Sequence, residues 1–138
     1  MAPLVLDTHV LVWLVDDDKR LLPGAATRVE RAAAAGVVHI PAIAIWEIGL
    51  LESKGRLTLT MPIGEWVARA LALPGVQLAP LTPDVALDAS RLPGQFHGDP
   101  ADRIIVATAR RLQGVLVTAD RSILAYGATG HLSVAKAA

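Results

Sequence analysis

Four acidic residues have side chains that could together hold a divalent cation: Asp7, Glu47, Asp102 and Asp120. Mg²⁺ and Mn²⁺ prefer oxygen ligands and commonly keep water and substrate phosphate in their coordination shells. Such an ion lowers the pKa of a bound water molecule and stabilises charge on a phosphate. Because the chain has no cysteine, thiol catalysis and cysteine-bound zinc are excluded. The four acids suit phosphate chemistry, although their spacing alone also fits carboxylates that cap helices.

Glu47 falls within a predicted helix, residues 42–54. The apolar stripe of this helix is made of Ile43, Trp46, Leu50 and Leu51. Glu47 follows Ile43 by four residues and precedes Leu50 by three, so it shares the apolar face. A charge on that face is costly unless it is paired or binds a metal. The alternative is that Glu47 lies at the edge of the stripe and pairs with a lysine or arginine.

Asp102 presents the same anomaly in a later helix. It stands one turn ahead of Ile105 and Val106, on the stripe that the helix buries. Asp99 precedes Pro100, which makes Asp99 a natural N-cap and places Asp102 in the first turn, where a carboxylate favours the helix dipole. One of the two aspartates can therefore be purely structural, and we expect it to be Asp99.

Asp7 and Asp120 each come after a predicted strand. Asp7 directly follows the apolar run 4–6, and Asp120 follows the run 115–117 after two residues. If both strands are parallel, both carboxylates lie at the same edge of the sheet, where open α/β sheets gather their functional groups. The alternative is that both residues only cap helices or occupy turns.

The elements that must position these acids alternate along the chain. Apolar runs of strand length are separated by segments with helical periodicity, proline near helix starts and glycine after helix ends. This alternation predicts a three-layer α/β/α sandwich with a parallel sheet of four to five strands. The predicted strands are 4–6, 37–40, 76–79, 115–117 and an edge strand near 132–134. The predicted helices are 8–15, 23 to a stop at 36, 42–54, 61–73, one starting at 82–84, 100–113 and 120–126.

Composition narrows the class of protein. The chain has 138 residues, 53% of them hydrophobic, and we expect one domain over 1–138. Its net charge of zero differs from that of a strongly basic nucleic-acid binder. No apolar run reaches the roughly 18 residues that suggest a membrane span, and no basic segment precedes an apolar one at the N-terminus. We therefore expect a cytoplasmic protein that neither spans nor binds a membrane.

Four segments in order resemble the acidic motifs of PIN-domain ribonucleases. They are LVLDTH at 4–9, IWEI at 45–48 followed by KGRL at 54–57, HGDPADRIIVA at 97–107 and LVTAD at 116–120. Each motif is weak alone, but together they span nearly the whole chain. Within that family the sequence is most similar to the VapC toxins of bacterial toxin–antitoxin pairs. It departs from the pattern at Ala44, where relatives often carry serine.

The resemblance implies a fold, an activity and partners. It implies a PIN-like parallel α/β/α sandwich and Mg²⁺- or Mn²⁺-dependent endonuclease action on RNA such as tRNA or rRNA. It also implies inhibition by a small cognate antitoxin of the VapB type, and a homodimer. Carried over by position, the metal-binding and catalytic acids are Asp7, Glu47, Asp102 and Asp120.

The same resemblance suggests supporting residues. Thr8 and Thr118 match small hydroxyl positions that hydrogen-bond the carboxylates or metal-bound water, and Asp99 is a cap beside the site. Arg103 either contacts RNA phosphate or pairs with Asp99. The leading hypothesis is a toxin endoribonuclease in which a metal-activated water attacks the scissile phosphate. Its alternatives are a PIN-like nuclease of RNA maturation or DNA flaps, and a catalytically silent PIN interaction domain.

Overall fold

The computed structural model describes residues 1–138 and contains one sheet of five parallel strands in the order β3-β2-β1-β4-β5. The strands are β1 (Leu4–Leu6), β2 (Val38–Pro41), β3 (Val76–Ala79), β4 (Val115–Thr118) and β5 (Ser133–Lys136). The helices are α1 (Thr8–Val15), α2 (Pro23–Ala34), α3 (Ala42–Ser53), α4 (Ile63–Leu71), α5 (Pro83–Ser90), α6 (Pro100–Arg111) and α7 (Arg121–Ala128). The predicted parallel α/β architecture is confirmed, and the element boundaries agree with the predicted ones to within two residues.

The sheet separates two hydrophobic cores because successive residues of a strand face opposite sides. In β1, Leu4 and Leu6 belong to one core, which includes side chains of α1, α2 and α4. Val5 belongs to the other core, which includes side chains of α5, α6 and α7. Helices therefore cover both faces of the sheet, as the near-continuous apolar strands predict. No helix has the length and apolar character needed to cross a membrane.

The strand order gathers three chain segments at one edge of the sheet. β1 lies between β2 and β4, and all three run in the same direction. Asp7 follows β1, helix α3 with Glu47 follows β2, and Asp120 follows β4. The backbone N–H of Asp7 donates to the carbonyl of Val117 at 3.1 Å, which fixes the end of β1 against β4. The carboxyl ends of the central strands thus converge on a single location.

Candidate metal centre

A pocket of about 320 Å³ lies at this edge of the sheet, and five carboxylates line it. They belong to Asp7, Glu47, Asp99, Asp102 and Asp120. The other lining residues are Thr8, His9, Trp13 and Ala119, so no lysine or arginine lines the pocket. The structure therefore brings all four predicted acids together, and it adds Asp99 to them.

Asp7 is buried, with only 7% of its surface exposed, and is held by two hydrogen bonds. One carboxylate oxygen accepts from the backbone N–H of Thr8 at 2.8 Å, which caps α1. The other accepts from the hydroxyl of Thr118 at 2.7 Å. Burial raises the pKa of the Asp7 carboxyl above its ordinary value, although both hydrogen bonds act in the opposite direction. The two hydrogen bonds thus fix the position of the side chain, but they do not offset the energetic cost of burying its charge.

Glu47 is half-buried at the rim of the pocket and accepts a hydrogen bond from the hydroxyl of Thr8. The predicted apolar stripe of its helix is wrong, because the buried face of α3 is formed by Ala44 and Ile48 and Trp46 is 57% exposed. Glu47 forms no ion pair with a lysine or arginine. Burial, followed by the nearby carboxylates, raises the pKa of Glu47.

Asp99 and Asp102 stand together at the start of α6. Asp99 is the N-cap, and its Oδ1 accepts from the backbone N–H of Asp102 at 2.8 Å, as predicted for a cap. Its side chain also lines the acidic pocket beside the other acids. Glu47, Asp99 and Asp102 each offer an oxygen, and these oxygens lie within 4.8 Å of one another. Asp99 therefore both caps the helix and belongs to the tightest acidic group.

Asp102 lies among the other four carboxylates of the pocket. Its pKa is raised to about 7, first by burial and then by the four surrounding carboxylates. All of these effects raise the pKa, and no lysine or arginine lines the pocket to offset the repulsion. Five hard oxygen donors that are crowded in this way match the preference of Mg²⁺ or Mn²⁺, and the donor set fits such an ion.

Asp120 is linked to Asp7 through Thr118. Asp120 caps α7, accepting from the N–H of Ile123 at 3.0 Å. Its own N–H donates to the hydroxyl oxygen of Thr118 at 3.0 Å, and that hydroxyl donates to Asp7. Thr118 is fully buried, so its hydroxyl fixes two acids of the pocket at once. The predicted role of Thr8 and Thr118 as carboxylate-binding hydroxyls agrees with these contacts.

Known proteins share this sequence and fold. The PIN domain family matches residues 4–128. The chain belongs to the PIN-domain family. This PIN domain is 35% identical over 126 residues to Ribonuclease VapC22 of Mycobacterium tuberculosis, covering 91% of the chain and 93% of that relative.

Solved structures share the PIN fold at lower identity. The chain is 14% identical to a chain of VapBC2 from Rickettsia felis bound to a promoter DNA fragment, with a TM-score of 0.69 and 98% of each chain covered. It is 12% identical to a chain of DNA-bound VapBC from Salmonella typhimurium, with a TM-score of 0.69 and coverage of 99% and 98%. It is 19% identical to a chain of FitAcB from Neisseria gonorrhoeae, with a TM-score of 0.63 and 95% of each chain covered.

Replacing Thr118 with valine should weaken this PIN domain and its site together. The valine keeps the volume but leaves the buried Asp7 oxygen without its donor, which costs about 1–3 kcal/mol. RNA cleavage should fall about 10-fold or more, the size seen when a residue that orients a metal ligand is lost. Urea denaturation and initial cleavage rates measure the two effects. Thr118→Ser retains the hydroxyl and should restore both, whereas a fully stable and active Thr118→Val would contradict the contact's role.

Arg103 has a structural role in the PIN domain. Its predicted pairing with Asp99 is wrong, and it does not line the acidic pocket. Its guanidinium donates instead to the backbone carbonyls of Ala89 at 2.9 Å and Phe96 at 2.5 Å. These contacts tie the segment between α5 and α6 to the helix that carries Asp102. Arg103 therefore holds the loop that leads into Asp99.

Arg103→Met should lower the free energy of unfolding by about 1–3 kcal/mol, since two carbonyls lose a charged donor. Arg103→Lys should restore little, because a single ammonium group cannot reproduce the planar fork of the guanidinium. Thermal unfolding of the three proteins gives the comparison. Full rescue by lysine, with RNA affinity following the charge, would instead identify Arg103 as a phosphate contact.

Two aromatic residues on the pocket wall were not predicted to be part of the site. His9 and Trp13 lie four residues apart on α1, and both line the acidic pocket. Their ring centroids are 6.3 Å apart, and the guanidinium of Arg20 lies 5.4 Å from the Trp13 ring. His9 comes two residues after Asp7, and residues four apart in a helix lie on the same side of it. This spacing could have indicated that both rings face the pocket.

Proposed function

We propose that this PIN domain, residues 1–138, is a metal-dependent endoribonuclease and the toxin of a toxin–antitoxin pair. The observation that carries the proposal is the group of five carboxylates around one pocket that has no lysine or arginine in its lining. Such an arrangement is costly in the absence of a cation. The 35% identity to a protein named Ribonuclease VapC22 supports the choice of RNA as substrate.

The acids of this chain would act as ligands and not as nucleophiles. Glu47, Asp99 and Asp102 provide the closest oxygens and would hold Mg²⁺ or Mn²⁺, with Asp7 and Asp120 completing the acidic wall. When bound, the ion would supply a water molecule of lowered pKa and neutralise charge on the phosphate. Thr8 and Thr118 keep Glu47 and Asp7 oriented, so that little reorganisation is needed when substrate arrives.

The partner that we propose is an antitoxin of the VapB type. Three solved structures of this fold are complexes named VapBC2, VapBC and FitAcB, which supports a protein partner for this chain. Such a partner would have to be removed before the activity of the toxin is measured.

Matched nucleic acids test the proposed activity. Antitoxin-free protein should cleave a tRNA and rRNA mixture in the presence of Mg²⁺ or Mn²⁺ and leave DNA strands and DNA flaps of comparable length intact. Asp7→Asn should be inactive, whereas Asp17→Asn, the same change at an exposed residue outside the pocket, should cleave normally. Preferential cleavage of DNA would mean that DNA, and not RNA, is the substrate. A protein that binds neither metal nor substrate would be a silent interaction domain.

A further inference from the structure

A second cleft adjoins the acidic pocket and has a different chemical character. It measures about 250 Å³ and shares Glu47 and Asp99 with the acidic pocket, so the two are continuous. Trp46 lines it and is 57% exposed, which makes it one of the few large apolar side chains left in solvent. The exposed indole offers a flat aromatic face beside the proposed catalytic acids.

Two cations complete this cleft. Lys54 and Arg56 line it and are exposed, and neither forms an ion pair within the chain. The acidic pocket, by contrast, has no lysine or arginine in its lining. Arg20, near the opposite wall, is held by Asp18 at 2.7 Å and is less available. Lys54 and Arg56 therefore place unpaired positive charge on the Trp46 side of the acids.

We propose that this cleft binds the nucleotide next to the scissile phosphate of an unpaired RNA strand. The base stacks on Trp46, and the adjoining phosphate contacts Lys54 and Arg56. Aromatic stacking beside a cationic groove is how single strands are bound without reading their sequence. A base inside a duplex cannot offer its face to an indole, so the contact requires an unpaired base. The inference rests on the proposed cleavage of RNA and names the residues that hold the strand beside the cut.

Charge and position favour RNA over a protein partner on this surface. The strand that places its phosphate at Glu47 and Asp99, through a cation, continues directly into the cleft that these residues also line. There it meets two unpaired cations, Lys54 and Arg56, which directly follow the end of helix α3. A purely apolar partner surface would leave both cations without a counter-charge.

Fluorescence anisotropy with a labelled 12-nucleotide RNA of random sequence measures the cleft directly. All proteins carry Asp102→Asn, so that the RNA stays intact. Trp46→Ala should bind about 5- to 100-fold more weakly, the range for loss of one stacked base. Trp46→Phe should retain most of the affinity. Leu87→Ala removes an apolar side chain of similar exposure, 52%, outside the cleft and should bind like the parent protein.

Salt dependence separates the charge contribution from stacking. For single strands, each neutralised phosphate contributes about 0.7 to the slope of log affinity against log salt. Lys54→Gln combined with Arg56→Gln removes the contacts to this one phosphate and should therefore reduce the slope by about 0.7. Trp46→Ala should leave the slope unchanged while lowering the affinity. An unchanged slope in the double variant would contradict the phosphate contact.

The outcomes distinguish the cleft from the catalytic proposal. If the unmutated protein cleaves RNA but Trp46→Ala binds and cleaves the same RNA equally well, the cleft assignment fails alone. If RNA binding depends on Trp46 but no metal supports cleavage, the proposed activity fails and the cleft assignment stands. If Trp46→Ala leaves RNA affinity intact but dissociates a dimer or prevents binding of an antitoxin, the occupant is a protein and the assignment is overturned.

Discussion

Replacing Asp102 with asparagine should lower RNA cleavage at least about 100-fold while making the metal-free protein more stable at pH 8. Loss of residues that merely orient metal ligands costs about 10- to 100-fold, and Asp102 belongs to the ligand group itself. Stability changes in the opposite direction because the substitution removes a charge that four neighbouring carboxylates repel. Initial rates with Mn²⁺ and thermal unfolding in EDTA measure the two effects.

The sign of the stability effect follows from the pKa of Asp102. It is about 7 in the folded chain and 3.8 ordinarily, so between these values the unfolded chain loses the proton first. The stability contribution of this group is present below pH 4 and is lost as the pH rises through 7. Asp102→Asn should therefore gain about 1 kcal/mol at pH 8, a value reduced for the partial exposure of the carboxylate, and nothing at pH 3.

A matched control separates this effect from a general change in charge. Asp17→Asn alters net charge equally but lies outside the pocket. It should change neither cleavage nor the pH dependence of stability. Equal stabilisation by both variants would mean that Asp102 is not under local repulsion, and an active Asp102→Asn would remove this residue from the catalytic group.

Adding Mn²⁺ or Mg²⁺ to EDTA-treated protein should raise its melting temperature strongly. A ligand at 100 times its dissociation constant stabilises the folded state by about 2.7 kcal/mol, which corresponds to several degrees for a domain of this size. The increase should be larger at pH 8 than at pH 6, because the ion competes with the proton on Asp102.

Differential scanning calorimetry across a metal titration measures this stabilisation. Most of it should disappear in Asp102→Asn, whereas Trp46→Ala should retain it because that side chain is not among the acidic lining residues. If metal stabilised Asp102→Asn as much as the wild type, the ion would bind at another site. A larger effect at pH 6 than at pH 8 would contradict competition with protons.

The fold and four of the acids could be predicted from local patterns. Parallel strands leave their carboxyl ends at one edge, so Asp7 and Asp120 had to lie close together once both strands were recognised. Asp99 was predicted to cap α6 beside the site, and the spacing of residues could not show that it also lines the acidic pocket. A carboxylate has two oxygens, and Oδ1 accepts the N–H of Asp102 while the group still contributes to the tight acidic cluster.

The errors arose where tertiary packing decides. Helix α3 has apolar residues around much of its circumference, so periodicity could not identify Ala44 and Ile48 as its buried face or leave Trp46 in solvent. Arg103 donates hydrogen bonds to backbone carbonyls, and the order of side chains in a sequence does not indicate which carbonyls will be nearby. Both cases depend on the neighbours that the fold supplies.

Returning metal to stripped protein tests whether RNA cleavage depends on an ion held by these carboxylates. RNA is incubated with antitoxin-free protein that has been stripped with EDTA and dialysed, and then Mn²⁺ is returned to the wild-type protein and to Asp7→Asn. We expect no cleavage after stripping, full recovery in the wild type and no recovery in the variant. Cleavage that persists in EDTA, or that returns equally in Asp7→Asn, would contradict a metal-dependent nuclease built on these carboxylates.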